Sequence, residues 1–275
     1  MEQKTRRILS IGAHPDDADT SPSGLLLKLR DAGWEIRLLS LTDGSAGTFR
    51  TELPREEIAL QRRAEAAASG RIFGGRYDVL FEPDGQLMPT LENREALIRY
   101  IRRFRPDVIL TNRPNDYHAD HRNTALLVQD ASFLLTVPKI CQDTPYLEHT
   151  PVILFWDDGF QRPYPFRRDI VVPLKRERRE QLTEIASCHE CQYFDWLYWP
   201  DHLEKLSWSR EEQVRDLHAR FMRNAERLRA EMEEYLVKKY GPEQAAGIPF
   251  VQCFEISEYG EAPSEEFLSL IEKPE

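Results

Sequence analysis

Arg7-Ile8-Leu9-Ser10-Ile11-Gly12-Ala13-His14-Pro15-Asp16-Asp17 sets a short apolar run directly against an imidazole and two carboxylates. The run is brief, rich in isoleucine and closed by turn-forming residues, so it reads as a buried strand of a parallel sheet. The pattern recurs further along. Asp107-Val108-Ile109-Leu110-Thr111 is followed a few residues later by His118-Ala119-Asp120-His121. In an open α/β sheet, ligands lie in the crevice at the carboxyl ends of strands. Two strands that both end in His/Asp clusters therefore point at one site, and these residue types suit a divalent metal.

Working outward, strand-like and helix-like segments alternate. Ser23 to Ala32 has apolar positions at helical spacing and stops at Gly33, the usual place for a left-handed cap. Trp34 to Leu41 reads as strand two, and the small polar residues from Thr42 to Thr48 as a loop. Pro54 introduces an alanine-rich helix from Arg55 to Ser69. Tyr77 to Phe81 is strand three, ending in the turn Pro83-Asp84-Gly85; Leu91 to Phe104 is a helix halted before Pro106; His121 to Leu135 is the helix after strand four.

Beyond these lie strands at Val152 to Trp156 and Asp169 to Val172, and a helix at Lys175 to Ser187. A long charged helical pattern, broken once, runs from Glu204 to Tyr240, and a last strand covers Phe250 to Ile256. The expected architecture is α/β, a Rossmann-like, mostly parallel sheet with helices on both faces and a C-terminal helical elaboration. No repeat or linker divides the 275 residues. One domain is expected over 1–275, with its core at about 6–192 and an extension at 193–275.

The net charge of −10 argues against nucleic acid or an anionic membrane as partner. The basic runs Arg99 to Arg105 and Lys175 to Arg179 read as solvated helix faces. No stretch approaches the ~20 apolar residues of a membrane span, and the N-terminal residues enter strand one without an apolar signal region, so a cytoplasmic location is expected. Cys141, Cys188, Cys191 and Cys253 then read as thiols, and Cys188-x-x-Cys191 has no second pair to complete a structural zinc site.

His14 precedes a proline, which pushes its backbone extended, so strand one ends there and the chain turns at once. His14, Asp16 and Asp17 then project from the sheet edge. Imidazole nitrogens plus one carboxylate form a common catalytic zinc set, and His118 and His121 are the other dense source of imidazole.

Ala13-His14-Pro15-Asp16-Asp17, together with Asn112-Arg113-Pro114-Asn115-Asp116-Tyr117-His118-Ala119-Asp120-His121-Arg122, resembles the PIG-L/LmbE-like zinc-dependent N-deacetylases. Secondary likenesses are Leu41-Thr42-Asp43-Gly44, Arg62 to Ala66, Pro83-Asp84-Gly85 and Cys188-His189-Glu190-Cys191-Gln192, so the resemblance covers roughly residues 6 to 192. It implies a hydrolase that removes the acetyl group from an N-acetylglucosamine-type sugar or conjugate. It also implies one Zn2+ per subunit, with Fe2+ or another divalent ion as the alternative. Position by position, it makes His14, Asp17 and His121 the metal ligands, Asp16 the general base and His118 the residue that stabilises the charged intermediate. A protonated His118 would supply the positive partner an oxyanion needs, and either Asp16 or His118 could protonate the leaving amine. Asp120 becomes the carboxylate behind a ligand imidazole. Some members carry a tyrosine where this chain has Asp116, and here Tyr117 follows it. Cys191 stands where the family tends to have serine.

Substrate contacts are expected from loops over the same edge. Arg50, Arg62 and His189 are the candidates, and the aromatic run Tyr193 to Pro200 stacks on sugar, fills a homo-oligomer interface or packs under the C-terminal helix. Two other readings compete. A dinucleotide-binding oxidoreductase lacks its G-x-G-x-x-G after strand one. A non-catalytic sugar-binding protein would have no use for a base beside the metal. Hydrolysis of a different N-acyl or amide substrate at the same site stays open.

Overall fold

A computed structural model describes residues 5–196, 205 and 207–275. Its strands are β1 (Arg7–Gly12), β2 (Glu35–Thr42), β3 (Arg76–Glu82), β4 (Val108–Thr111), β5 (Val152–Trp156), β6 (Ile170–Leu174) and β7 (Phe250–Ile256). Its α-helices are α1 (Asp17–Thr20), α2 (Ser23–Asp31), α3 (Arg55–Ile72), α4 (Leu91–Phe104), α5 (Ala119–Leu134), α6 (Glu177–Ser187), α7 (Arg210–Glu231), α8 (Glu233–Tyr240), α9 (Pro242–Ala246) and α10 (Glu265–Glu272). A π-helical turn occupies Cys191–Trp196.

The strands form one sheet in the order β3-β2-β1-β4-β5-β7-β6. The first five are parallel, and β7 runs antiparallel to both β5 and β6. The strands alternate their side chains between two cores. Ile8, Val108 and Leu110 face a core shared with α2, α6, α7 and α10, whereas Leu9, Ile11 and Ile109 face α4 and α5. Both faces are therefore covered, which is why the strands read as unbroken apolar runs. Pro173 is tolerated in β6 because that strand lies at the edge of the sheet, where a missing amide donor costs little.

The long charged helical pattern is two helices, meeting at Met232. A capping box between Ser209 and Glu212 starts α7 at Arg210, later than the expected Glu204. The short helices α1, α9 and α10 and the π-helical turn were beyond the periodicity signal. Among the described residues no helix is long and apolar enough to cross a membrane.

The strand order reverses between β1 and β4, which lie side by side. Such a switch point opens a crevice at the carboxyl ends of the two strands. Both His/Asp clusters emerge there.

Candidate metal centre

The first cluster is shaped by a tight reversal after β1. The amides of Asp16 and Asp17 donate to the His14 carbonyl at 2.8 and 3.2 Å, and α1 begins at once. A Cβ at residue 12 would lie 2.6 Å from the Asp17 Cβ, so only glycine lets the turn fold back onto the strand end. The Asp17 Oδ2 accepts from the backbone amides of Ala13 at 3.1 Å and His14 at 2.9 Å, which fixes the carboxylate over the end of β1.

The second cluster sits at the start of α5. His118 is the N-cap, its Nδ1 accepting from the Asp120 amide at 3.1 Å. His121, one turn in, is carried on the same end of the helix.

The two clusters meet. His14 Nδ1 lies 3.2 Å from His121 Nε2, and Asp17 Oδ2 lies 3.4 Å from each of these nitrogens. Bonds of about 2.0–2.1 Å in tetrahedral geometry place ligand atoms about 3.3–3.4 Å apart. The triangle of His14, Asp17 and His121 thus fits one such ion. The rings of His14, His118 and His121 also offer nitrogens within 4.8 Å of one another.

Each imidazole of the triangle is backed on its far side by carboxylate. His14 Nε2 faces Asp84 Oδ1 at 3.1 Å and Asp120 Oδ2 at 3.5 Å, and His121 Nδ1 pairs with Asp116 Oδ2 at 2.9 Å. That arrangement fixes which nitrogen of each ring points inward. Asp120 also accepts from the amides of Gly85 and Leu87, at 2.7 and 3.3 Å. It therefore stands behind His14 and ties down the turn after β3. Asp84 and Asp116 went unassigned in the sequence. The available signal was that every strand around the switch point ends in aspartate: Asp16 and Asp17 after β1, Asp43 after β2, Asp84 after β3, Asp116 and Asp120 after β4.

The electrostatics follow from the packing. Burial alone would lower the His14 pKa, but bonds to Asp120, Asp17 and Asp84 raise it well above the ordinary value. Burial would likewise lower His121, and Asp17 and Asp116 reverse that too. For Asp17 burial pushes upward, yet His121 and His14 hold it well below the usual carboxylate range. Asp16 behaves differently: burial raises it, and the nearby Arg62 only partly opposes this. His118 is lowered, first by burial and then by the neighbouring His14.

Two expected substrate contacts are corrected. Arg62 is 2% exposed, and its Nη2 donates to Asp16 Oδ1 at 2.6 Å while Nη1 donates to the Gly44 carbonyl at 3.2 Å. It holds Asp16 instead of meeting solvent. His189 is fully buried, its Nε2 paired with Asp19 Oδ2 at 2.6 Å beneath α1. The cause is the same in both: a titratable partner from another element draws the side chain inward, which sequence spacing does not reveal. Arg50 stays half-buried, reaching Gln61 at 3.1 Å and Asp195 at 3.3 Å. In the C-terminal segment, His218 bonds to Thr183 at 2.9 Å within the α6–α7 packing. His202 and the end of the aromatic run, 197–200, lie outside the described residues.

Comparison with known proteins gives a consistent picture of the fold. Residues 9–132 match the family model described as PIG-L, GlcNAc-PI de-N-acetylase. Over 133 residues the chain is 35% identical to a diacetylchitobiose deacetylase of Thermococcus kodakarensis, a match covering 46% of this chain and 50% of that protein. The match thus spans about half the length of that curated relative. The structure superposes on N,N′-diacetylchitobiose deacetylase from Pyrococcus horikoshii with a TM-score of 0.65 at 22% identity, covering 93% of this chain and 85% of the other. It also superposes on GalB, the 4-carboxy-2-hydroxymuconate hydratase of Pseudomonas putida KT2440, with a TM-score of 0.72 at 15% identity, covering 95% and 99%. One fold thus carries two chemistries, so the reaction must be argued from the site.

Proposed function

We propose that the chain, whose residues 9–132 match the PIG-L family model, is a PIG-L/LmbE-like deacetylase that hydrolyses the acetamide of an N-acetylglucosamine-type sugar or conjugate, releasing acetate and a free amine. The observation that carries this reading is the triangle of His14 Nδ1, Asp17 Oδ2 and His121 Nε2, with edges of 3.2–3.4 Å, beside an aspartate outside the triangle. His14, Asp17 and His121 are the proposed ligands, and zinc is the proposed ion, with ferrous iron as the alternative. Bound there, the ion would polarise the amide carbonyl and make water a nucleophile near neutral pH.

The remaining steps belong to side chains. Asp16 takes the proton of the attacking water. Arg62 anchors its Oδ1 and fixes the carboxylate plane, and burial lifts its pKa toward the range in which a base can later return the proton. Protonated Asp16 is then the group placed to deliver that proton to the departing amine. His118 stays unligated and donates from Nε2 to the oxyanion, because its Nδ1 is already occupied by the Asp120 amide. Burial lowers its pKa, which favours the neutral ring over the protonated one as that donor. The whole chain acts as one domain in this reading, with the described residues after 192 contributing no ligand.

Metal analysis of the purified protein, paired with an amine-release assay over a panel of N-acetylated sugars and other N-acyl amines, tests the reading. One divalent ion per chain and acetate released from an N-acetylated sugar are expected. Metal-free protein with full activity, or release only from non-sugar amides, would overturn it.

A further inference from the structure

The loop 157–169 joins β5 to β6 and leaves the carboxyl end of β5, beside the switch point. It is built onto the segment that carries His118 and His121. Arg113, fully buried, donates from Nη1 to the Phe160 carbonyl and from Nη2 to the Tyr164 carbonyl, both at 2.9 Å. Its guanidinium lies over the Tyr164 and Phe166 rings, with Asp158 and Glu255 each at 3.4 Å to balance the charge. Asp158 Oδ1 also accepts from the Phe160 amide at 2.7 Å. Phe160 is therefore held from both its amide and its carbonyl.

Despite that anchoring, the Phe160 ring is 39% exposed and stacks on Tyr117, itself 65% exposed, at 6.4 Å and an interplanar angle of 27°. The Tyr117 ring stands edge-on to His118 at 5.7 Å and to His121 at 5.4 Å. Two open aromatic rings thus extend outward from the imidazoles, on a loop whose backbone is pinned by a buried arginine. A pyranose with equatorial substituents presents a flat face of axial C–H bonds, the surface that aromatic rings accept by stacking.

We propose that Tyr117 and Phe160 form a stacking shelf for the sugar ring next to the one that carries the reacting acetamide. The preferred substrate class is then a glycoside of two or more equatorially linked rings. The inference rests on the deacetylase reading above, and its test keeps the two apart. Phe160→Ala should lower kcat/KM on N,N′-diacetylchitobiose about three- to tenfold, through KM, and change N-acetylglucosamine turnover by less than about twofold. Phe160→Trp, which keeps a stacking face, should restore the disaccharide value. A parallel loss on both sugars, or no loss on either, would overturn the shelf. Should the wild type release amine from neither sugar, the deacetylase reading falls and calorimetry on the chelator-treated protein decides the shelf. Tighter binding of the disaccharide than of the monosaccharide, lost in Phe160→Ala and kept in Phe160→Trp, supports it; equal binding of the two sugars by the wild type overturns it.

Discussion

Arg102 and His14 are both polar side chains packed into this fold, but their surroundings differ in kind. Arg102, 2% exposed on α4, donates to six carbonyls: Leu134, Leu135, Val137, Ile140, Cys141 and Thr144. Every direction its fork can point is already met by backbone, and the result is a clamp on the chain leaving α5. His14 has carboxylates behind Nε2, but its Nδ1 faces another imidazole nitrogen at 3.2 Å and a carboxylate oxygen at 3.4 Å. The charge of Arg102 is saturated within the protein. The ligand-type atoms of His14, Asp17 and His121 at the switch point instead converge on one another, and such a cluster of perturbed groups is the mark of a ligand site.

The contrast breaks most completely at the triangle. His121→Ala should leave the protein without bound metal and without detectable activity, while its cooperative thermal unfolding persists. Metal analysis beside calorimetry checks this, and retained metal would show that His118 or another side chain completes the set.

Asp16→Asn should keep the metal and lower kcat/KM by about 10²–10⁴, the usual worth of a positioned base. The same assignment fixes a pH dependence. The base works when ionised, and burial raises the Asp16 pKa, so activity should fall as pH drops through a limb above the ~3.9 of an ordinary aspartate. Loss of metal in this variant would exchange the roles of Asp16 and Asp17.

Arg102→Ala tests the saturated side. Stranding the buried carbonyls it serves should lower stability by at least ~3 kcal/mol in denaturant titration. Because Arg102 lies away from the switch point, kcat of the folded fraction should not change. An effect on kcat with stability intact would mean that the clamp governs the site, and Arg102 would then not be a purely structural charge.

Much of this was legible in the sequence, for a physical reason. A strand covered on both faces must be apolar throughout, so β1, β5 and β7 could be bounded to within a residue or two. The residues just past β1 and β4 could be read as convergent because parallel strands all point their carboxyl ends the same way. What stayed hidden depends on which strand lies beside which. Asp84 meets His14 although β2 lies between β1 and β3, because the turn after β3 reaches back past the end of β2, where the Asp84 amide donates to Asp43 Oδ1 at 3.0 Å. Arg62 and His189 resemble free polar groups in the sequence, and their burial is decided by Asp16 and Asp19 on another element. Helix α10 and the π-helical turn are too short for periodicity to declare them.

Asp116 and Asp120 allow the smallest and most discriminating test, since both stand behind ligand imidazoles and only one was expected to. Asp116 Oδ2 pairs with His121 Nδ1 at 2.9 Å and its Oδ1 accepts from the His118 amide at 3.0 Å, so it orients the ligand ring and the start of α5 together. Asp120 approaches His14 only to 3.5 Å, and both its oxygens accept backbone amides of the 85–87 turn. Asp116→Asn keeps the shape but removes the charge that makes the far nitrogen a good donor, so metal affinity should weaken about 10–100-fold. Asp120→Asn should weaken it less and lower thermal stability more, because an amide nitrogen would face the amide donors of the turn. Competition with a chelator, read beside the melting curves, ranks the two. If Asp120→Asn proved the greater loss in affinity, His14 would be the ring whose orientation limits binding, and the turn after β3 would belong to the metal centre instead of its support.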